Sequence, residues 1–433
     1  MLRILLLRLA LILLVLGTAN MAHAAEQSHA DDASQRWHHW IQNQDRFPIA
    51  AWSYFFRYEG SVAEFRRYAG AGLTMVQVPP EDYQAATEAG LDLLIGGWED
   101  VYETPEKTSD AITRPLPEGA RVAGYVLDDE PGPDLFADLG RSVRQIYSED
   151  PRITLPMIDM LPGWAVLYER FGMTYEQMLR RYIDEVNPPM LMNCMYPLVY
   201  EDGEVHLRPS MFYLMELYRD LALEADIGLM GFALVTPHFG YYEAPTESEL
   251  KFTVYSHLAY GAKGMWYYNY TIDGGDKFGD GLIGWETKEP TPRYAMVKEL
   301  NEDIQAIGMT LMSLTSSTVR HTGPEYPRGV TPYHNDDIQG LATFQGDRFI
   351  VADFVGQQND PGRYLMLVNK RFTHDPQASA GTHATARFTT TDAYKTVTRF
   401  DTDTGNPLPL VPHEGTYEIE LGGGEGVLLY LQP

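Results

Sequence analysis

Between Phe47 and Gly308, short apolar runs alternate with amphipathic stretches of helical period. The runs are Phe47–Trp52, Leu73–Val78, Asp92–Ile95, Arg121–Leu127, Ile153–Ile158, Pro189–Cys194, Ile227–Leu234 and Gly264–Tyr268. Near-continuous apolar runs bounded by turn residues are the pattern of strands buried on both faces. The stretches between them carry helix punctuation. Ser61 with Glu64, Thr174 with Gln177 and Thr246 with Glu249 fit the capping box, in which the first and fourth side chains satisfy each other's free backbone N–H groups. Gly90, Gly261 and Gly308 stand where helices of this set should end in a left-handed residue. Eight strands alternating with helices predict an α/β fold, a (β/α)8 TIM barrel spanning 47–308. An open doubly wound sheet shares the alternation but opens on a glycine-rich turn, whereas the turn here, Trp52 to Gly60, is aromatic.

After Met309 the pattern shifts to alternating runs separated by Gly, Asn, Asp and Pro: Arg348–Phe354, Tyr364–Asn369, Ala384–Phe388, Tyr417–Leu421 and Val427–Leu431. This predicts a small antiparallel β-sandwich over 309–433. The first residues are of a third kind. Arg3 and Arg8 precede the apolar run Leu9–Leu16 and the small-x-small site Ala22-His23-Ala24, the arrangement of a secretory signal peptide over 1–24. That leaves 25–46 as a segment ahead of the barrel and implies a periplasmic or extracellular protein. No later stretch approaches the roughly 20 apolar residues that a membrane helix needs, so no membrane anchor is expected.

Charge narrows the partners. With 33 basic against 60 acidic residues the formal charge is −27, and the signal removes only basic groups. Nucleic acid is excluded as a partner and polyanionic ligands are repelled at long range. The single cysteine, Cys194, forbids an intrachain disulfide and reads as a small buried thiol. No metal or other cofactor is expected: the adjacent His38 and His39 diverge, and Asp273, Asp276 and Asp280 lack the spacing of a calcium loop. Gly279 to Gly284 has the glycine spacing of a phosphate loop but runs into Trp285-Glu286-Thr287 rather than a helix. No Gly-x-Ser-x-Gly elbow marks a serine esterase. Oligomeric state is not legible.

In a barrel the chemistry lies at the C-terminal ends of the strands. Those ends carry Trp52 and Tyr54, Gln77, Trp98, Asp128-Asp129-Glu130, Asp159 and Trp164, Tyr196, His238 and Glu243, then Tyr268 and Asn269. Aromatics stack on the C–H faces of sugars, and carboxylates and amides bind their hydroxyls. Glycosidic cleavage needs one carboxylic acid for the leaving oxygen and a second carboxylate as nucleophile or base. Glu130 is the candidate acid, because neighbouring acids and partial burial raise a carboxyl's proton affinity. Strict strand alternation would turn Asp128 and Glu130 the same way.

Gly124-Tyr125-Val126-Leu127-Asp128-Asp129-Glu130-Pro131 resembles the Gly-Tyr-x-x-x-Asp-Glu-Pro element that ends the fourth strand in glycoside hydrolase barrels related to beta-galactosidases and clan A. Ser256 to Tyr268 resembles the passage from helix to strand eight in the same proteins, Pro292 to Gly308 their last helix, and Leu421 to Leu431 the closing strand of their sandwich. The resemblance implies a retaining-type site with Glu130 as acid/base and a nucleophile near the end of strand seven. Asp129 stands where the clan has Asn, Cys194-Met195-Tyr196-Pro197 replaces its Asp-x-Tyr-Pro, and no Glu closes strand seven itself. Glu243 and Asp159 are therefore both candidates for the second carboxylate, with Asp273 a rival. The expected function is glycoside hydrolysis of an oligo- or polysaccharide; the alternative is a non-catalytic glycan-binding protein on a degraded hydrolase barrel.

Overall fold

The computed structural model describes residues 33–52, 60–96, 101–163, 170–324 and 326–433. The expected signal peptide lies outside them. Among the described residues no helix is long and apolar enough to cross a membrane.

The first half is a curled parallel sheet with helices between its strands. The strands are β1 (Ile49–Ala51), β2 (Met75–Gln77), β3 (Asp92–Gly96), β4 (Val122–Asp129), β5 (Leu155–Asp159), β10 (Gly231–Leu234) and β11 (Met265–Tyr268), in the order β10-β11-β1-β2-β3-β4-β5. Beside them β6 (Met190–Leu191) and β9 (Gly228–Leu229) form a two-stranded parallel ladder, and between these in the chain β7 (Leu198–Glu201) and β8 (Glu204–Leu207) form an antiparallel hairpin. A parallel bridge joins Met160, just past β5, to Asn193 past β6, and the Met230 N–H donates to Leu191 O at 2.9 Å. The apolar run Ile227–Leu234 is thus broken into β9 and β10 at Met230. Crowding accompanies the break: a Cβ at Gly228 would stand 2.5 Å from the Trp37 ring, so only glycine admits that indole.

The helices follow their sequence signals. They are α1 (Val62–Gly70), α2 (Tyr83–Glu88), α3 (Pro105–Thr113), α4 (Phe136–Glu149), α5 (Tyr175–Val186), α6 (Met211–Glu224), α7 (Glu247–Ala259) and α8 (Pro292–Met312). Thr174 and Thr246 form complete capping boxes, while at Ser61 the hydroxyl accepts from the Glu64 N–H. Gly90 and Gly261 take positive φ beyond their helices. Gly308 does not. It lies inside α8, where a Cβ would fall 2.5 Å from that of Phe47, so this glycine admits a close crossing instead of ending the helix. The helix continues to Met312, and the boundary expected at 309 falls within it.

The space inside the curled sheet is filled by tryptophan and methionine, with Trp52, Met75, Met157, Met230, Phe232 and Trp266 in one cluster. Trp37 and Trp40 join it from a helix whose residues 33–42 are described. Trp40 Nε1–H donates to the Ala123 carbonyl at 3.0 Å, at the N-terminal end of β4. The segment ahead of the barrel run therefore plugs the end of the sheet opposite the strand C-termini.

After α8 the strands are antiparallel. β12 (Thr315–His321), β14 (Phe349–Val355), β15 (Arg363–Asn369), β20 (Gly426–Gln432), β17 (Thr396–Phe400) and β18 (Pro407–Leu410) make one sheet, and β13 (Leu341–Gln345), β16 (Ala384–Thr390) and β19 (Tyr417–Leu421) a second. The pleat sorts β14 cleanly. Phe349 and Val351 face the second sheet, with Phe388 and Ile419, while Ile350, Ala352 and Phe354 belong to the large core with Phe252 and Tyr255 of α7. The antiparallel sheets are thereby packed directly on the parallel part.

Candidate functional site

β4 does not end as alternation predicts. Its pairing with β5 runs Val126 to Met157 and then Asp128 to Ile158, skipping Leu127, and Glu130 leaves the strand at φ +54°. The extra residue of a bulge resets the facing of everything after it. Asp128 is drawn back to its own backbone, accepting from the Asp129 N–H at 2.8 Å. Asp129 and Glu130 instead both line a cavity of about 370 Å³ at the strand C-termini. The expectation that Asp128 and Glu130 share a direction is therefore corrected: Asp129 takes the place of Asp128.

The cavity has a carboxyl wall and an aromatic wall. Asp129, Glu130, Asp159 and Cys194 form the first. Asp159 is the cross-strand partner of Asp129, and its carbonyl accepts the Glu130 N–H at 2.8 Å, so three carboxyls are gathered on two adjacent strands. The Cys194 thiol donates to Glu130 Oε1 at 2.9 Å. Facing them are Trp52, Tyr196, Phe232, Tyr242, Tyr268 and Phe278, with His238. His238 sits in a box of ring edges, its centroid 4.7 Å from Phe278, 5.1 Å from Tyr242, 5.4 Å from Tyr268 and 5.6 Å from Tyr196.

Electrostatics follow from burial and crowding. Asp159 is 2% exposed, and burial pushes its proton affinity well up, aided by the charges of Asp129 and Glu130. Its Oδ1 is buried without a hydrogen-bond partner among the described residues. Such an atom costs free energy unless a ligand or water completes it. Asp129 opens onto the cavity, yet the enclosing walls remove enough water to push its pKa up to about 7, with Glu130 and Asp128 adding repulsion. Burial lowers His238 to about 4, so its imidazole is neutral at neutral pH, and its Nε2 has no partner among the described residues. Burial first, then the Asp129 charge, pushes Tyr268 up to about 12.

A pH test of this cluster follows. Because Asp129 binds its proton more tightly folded than unfolded, the unfolded chain releases the proton first as pH rises from about 4 to about 7, and stability falls across that window. Asp129→Asn should therefore melt above the wild type at about pH 8, where the native aspartate is ionised beside Glu130, and the gap should close at about pH 4. A gap in Tm that is the same at both pH values would contradict this.

No protein-family model matches the chain, and no curated protein matches it. Solved structures do. A beta-galactosidase from the psychrophilic Marinomonas ef1 aligns at 9% identity and a TM-score of 0.46 over 62% of each chain, so the likeness spans less than two thirds of that protein. A GH27 β-L-arabinopyranosidase from Geobacillus stearothermophilus aligns at 10% identity and a TM-score of 0.43, over 91% of this chain and 99% of that one. A GH30 endoxylanase from Clostridium papyrosolvens C71 gives 9% identity and 0.42 over 89% and 95%.

The remaining sequence candidates separate. Glu243 lines a different hollow, with Pro197, Val205 and Pro245, which shares only Tyr196 with the carboxyl cavity. Gln77 is fully buried, its amide donating to Gly96 O at 3.0 Å, and Asn269 is tied to Thr236. Neither lines the cavity. Tyr54, Trp98 and Trp164 lie outside the described residues. Sequence reading missed Phe232, Tyr242 and Phe278. Phe232 was accessible from the alternation Gly231-Phe232-Ala233 along β10. The other two are placed by tertiary pairing alone, through isolated bridges from His238 to Tyr242 and to Phe278. Among the described residues no group of acidic, histidine and cysteine side chains could hold a metal ion.

Proposed function

We propose that the chain is an exported glycoside hydrolase whose parallel part is a closed (β/α)8 barrel from Phe47 to the end of α8 at Met312, carrying a β-sandwich after it. Closure is supported by the bond from Met230 to Leu191 and the bridge from Met160 to Asn193, which supply the hydrogen bonds missing between β5 and β10 through β6 and β9. The signal-like residues 1–24 support export. The observation that carries the activity is the triad Asp129, Glu130 and Asp159 against an aromatic wall.

Burial and mutual repulsion raise the proton affinity of Asp159 and Asp129, so the cluster retains a proton near neutrality. Glu130, oriented by Cys194, passes a proton to the leaving glycosidic oxygen. Asp159 is the second carboxylate: in the microstate that reacts, the cluster's proton sits on Glu130 and Asp159 is ionised, and its Oδ1, without a partner among the described residues, then draws a proton from water. The aromatic wall stacks on the sugar, and the neutral His238 offers an unpaired nitrogen to a hydroxyl.

Incubating the purified chain with aryl glycosides and with plant, algal and microbial glycans should release products from at least one, with saturation kinetics. The separation of Glu243 from the cavity favours one other reading, a glycan-binding protein. Calorimetric binding of a glycan with no turnover of any member of the panel would overturn hydrolysis in its favour.

A further inference from the structure

The geometry points to the thiol of Cys194 as a positioning residue that orients the Glu130 carboxylate through a permanent S–H···O bond. This inference rests on the hydrolase reading for its catalytic consequence, though not for the bond itself.

Glu130 is held to β5 by its N–H, which donates to Asp159 O, but at φ +54° its side chain turns out of the strand's pleat, so the ladder does not set the direction of its carboxylate. What reaches it is Cys194 Sγ, 2.9 Å from Oε1, carried on the residue that follows the Met160–Asn193 bridge and 7% exposed. The same sulfur is near Asp159, and the Met160 carbonyl is 4.0 Å away, a poorer acceptor. A thiol has one proton to give; Asp159 competes for it, and the 2.9 Å contact to Glu130 Oε1 is the one whose geometry is that of a hydrogen bond. Burial, with the Asp159 and Glu130 charges beside it, holds the thiol far from ionisation, so the group remains a donor. A thiol also suits this place because it packs as a small apolar group, whereas a buried hydroxyl would cost more if its bond were lost.

The groups facing Glu130 are all acidic or neutral: Asp128 and Asp129 on its own strand, Asp159 from β5, Tyr268 from β11, and behind the thiol the paired hydroxyls of Tyr175 and Tyr218 from α5 and α6. Among the described residues no lysine or arginine lines the cavity, and the one imidazole there, His238, is kept neutral by burial. The S–H bond is therefore the contact in this set that donates to the Glu130 carboxylate and sets its direction.

Two variants and two readouts test the inference. Cys194→Ala should lower kcat about 10- to 100-fold, the range for loss of a hydrogen bond to a charged group, with KM little changed. Cys194→Ser should restore kcat. Carbon NMR of protein labelled at the glutamate carboxyl carbon, with the Glu130 signal assigned by Glu130→Gln, should show that signal displaced in the alanine variant and returned in the serine variant. An unmoved Glu130 signal in Cys194→Ala would overturn the inference, as would serine and alanine variants equally impaired, the signature of a packing role. A displaced signal in a chain that hydrolyses no glycoside would sink the hydrolase reading and leave the bond in place.

Discussion

Glu130→Gln should lower kcat/KM by about 10²- to 10⁴-fold, the usual contribution of a positioned general acid. Glutamine keeps the shape of the side chain, can adopt the same backbone geometry and can still accept the Cys194 thiol at its amide oxygen, but it has no proton to lend. Because Glu130 is exposed to the cavity rather than packed into the core, the change should leave stability within about 0.5 kcal/mol. Activity and fold are thereby separated. The deficit should also depend on the leaving group. An aryl glycoside with an acidic phenol departs without protonation and should suffer least, while a natural glycan should suffer most. Full activity of the variant on both kinds of substrate would remove Glu130 from the chemistry. An equal loss on both, accompanied by a fall in Tm, would instead make it a structural residue.

The division between what could be read in the chain and what could not has physical causes. Buried strands and capped helices are written locally, in apolar runs and in pairs such as Thr174–Gln177 and Thr246–Glu249, so their existence was legible along with the change of texture near Met309. Positions at strand ends were legible wherever the strand stays regular: Trp52, Asp159, Tyr196, His238 and Tyr268 all meet at the cavity. The β4 terminus was not, because one bulged residue near Leu127 exchanges Asp128 for Asp129, and nothing in the alternation announces it. Gly308 was misread for a related reason. A glycine near a helix end reads as a stop, but here it answers to Phe47, far away in sequence. Cys194 shows the same limit from the other side: its burial was expected, but its bond to Glu130 joins residues 64 positions apart.

Trp40→Ala should be the most destabilising of the substitutions considered, by about 3–5 kcal/mol, the range for truncating a buried aromatic to alanine. Trp40 is 2% exposed, stacks on Trp37 with centroids 5.7 Å apart, and gives its indole N–H to Ala123 O. Loss of the ring opens a void at the N-terminal end of the sheet and removes the indole's hydrogen bond to the Ala123 carbonyl. In a chain of this size such a change should lower Tm by roughly 3–6 °C. Trp40→Phe separates the two contributions: it retains most of the volume and loses the hydrogen bond, which should cost about 1–2 kcal/mol. The two variants should differ in Tm and agree in the pH dependence of activity, since the plug and the carboxyl cluster lie at opposite ends of the strands. If Trp40→Ala melts within about a degree of the wild type, the helix over 33–42 is not part of the cooperative core. If its pH profile shifts, the interior between Trp40 and Trp52 transmits packing to the site, and the two ends of the sheet are coupled through the methionine-rich cluster that joins them.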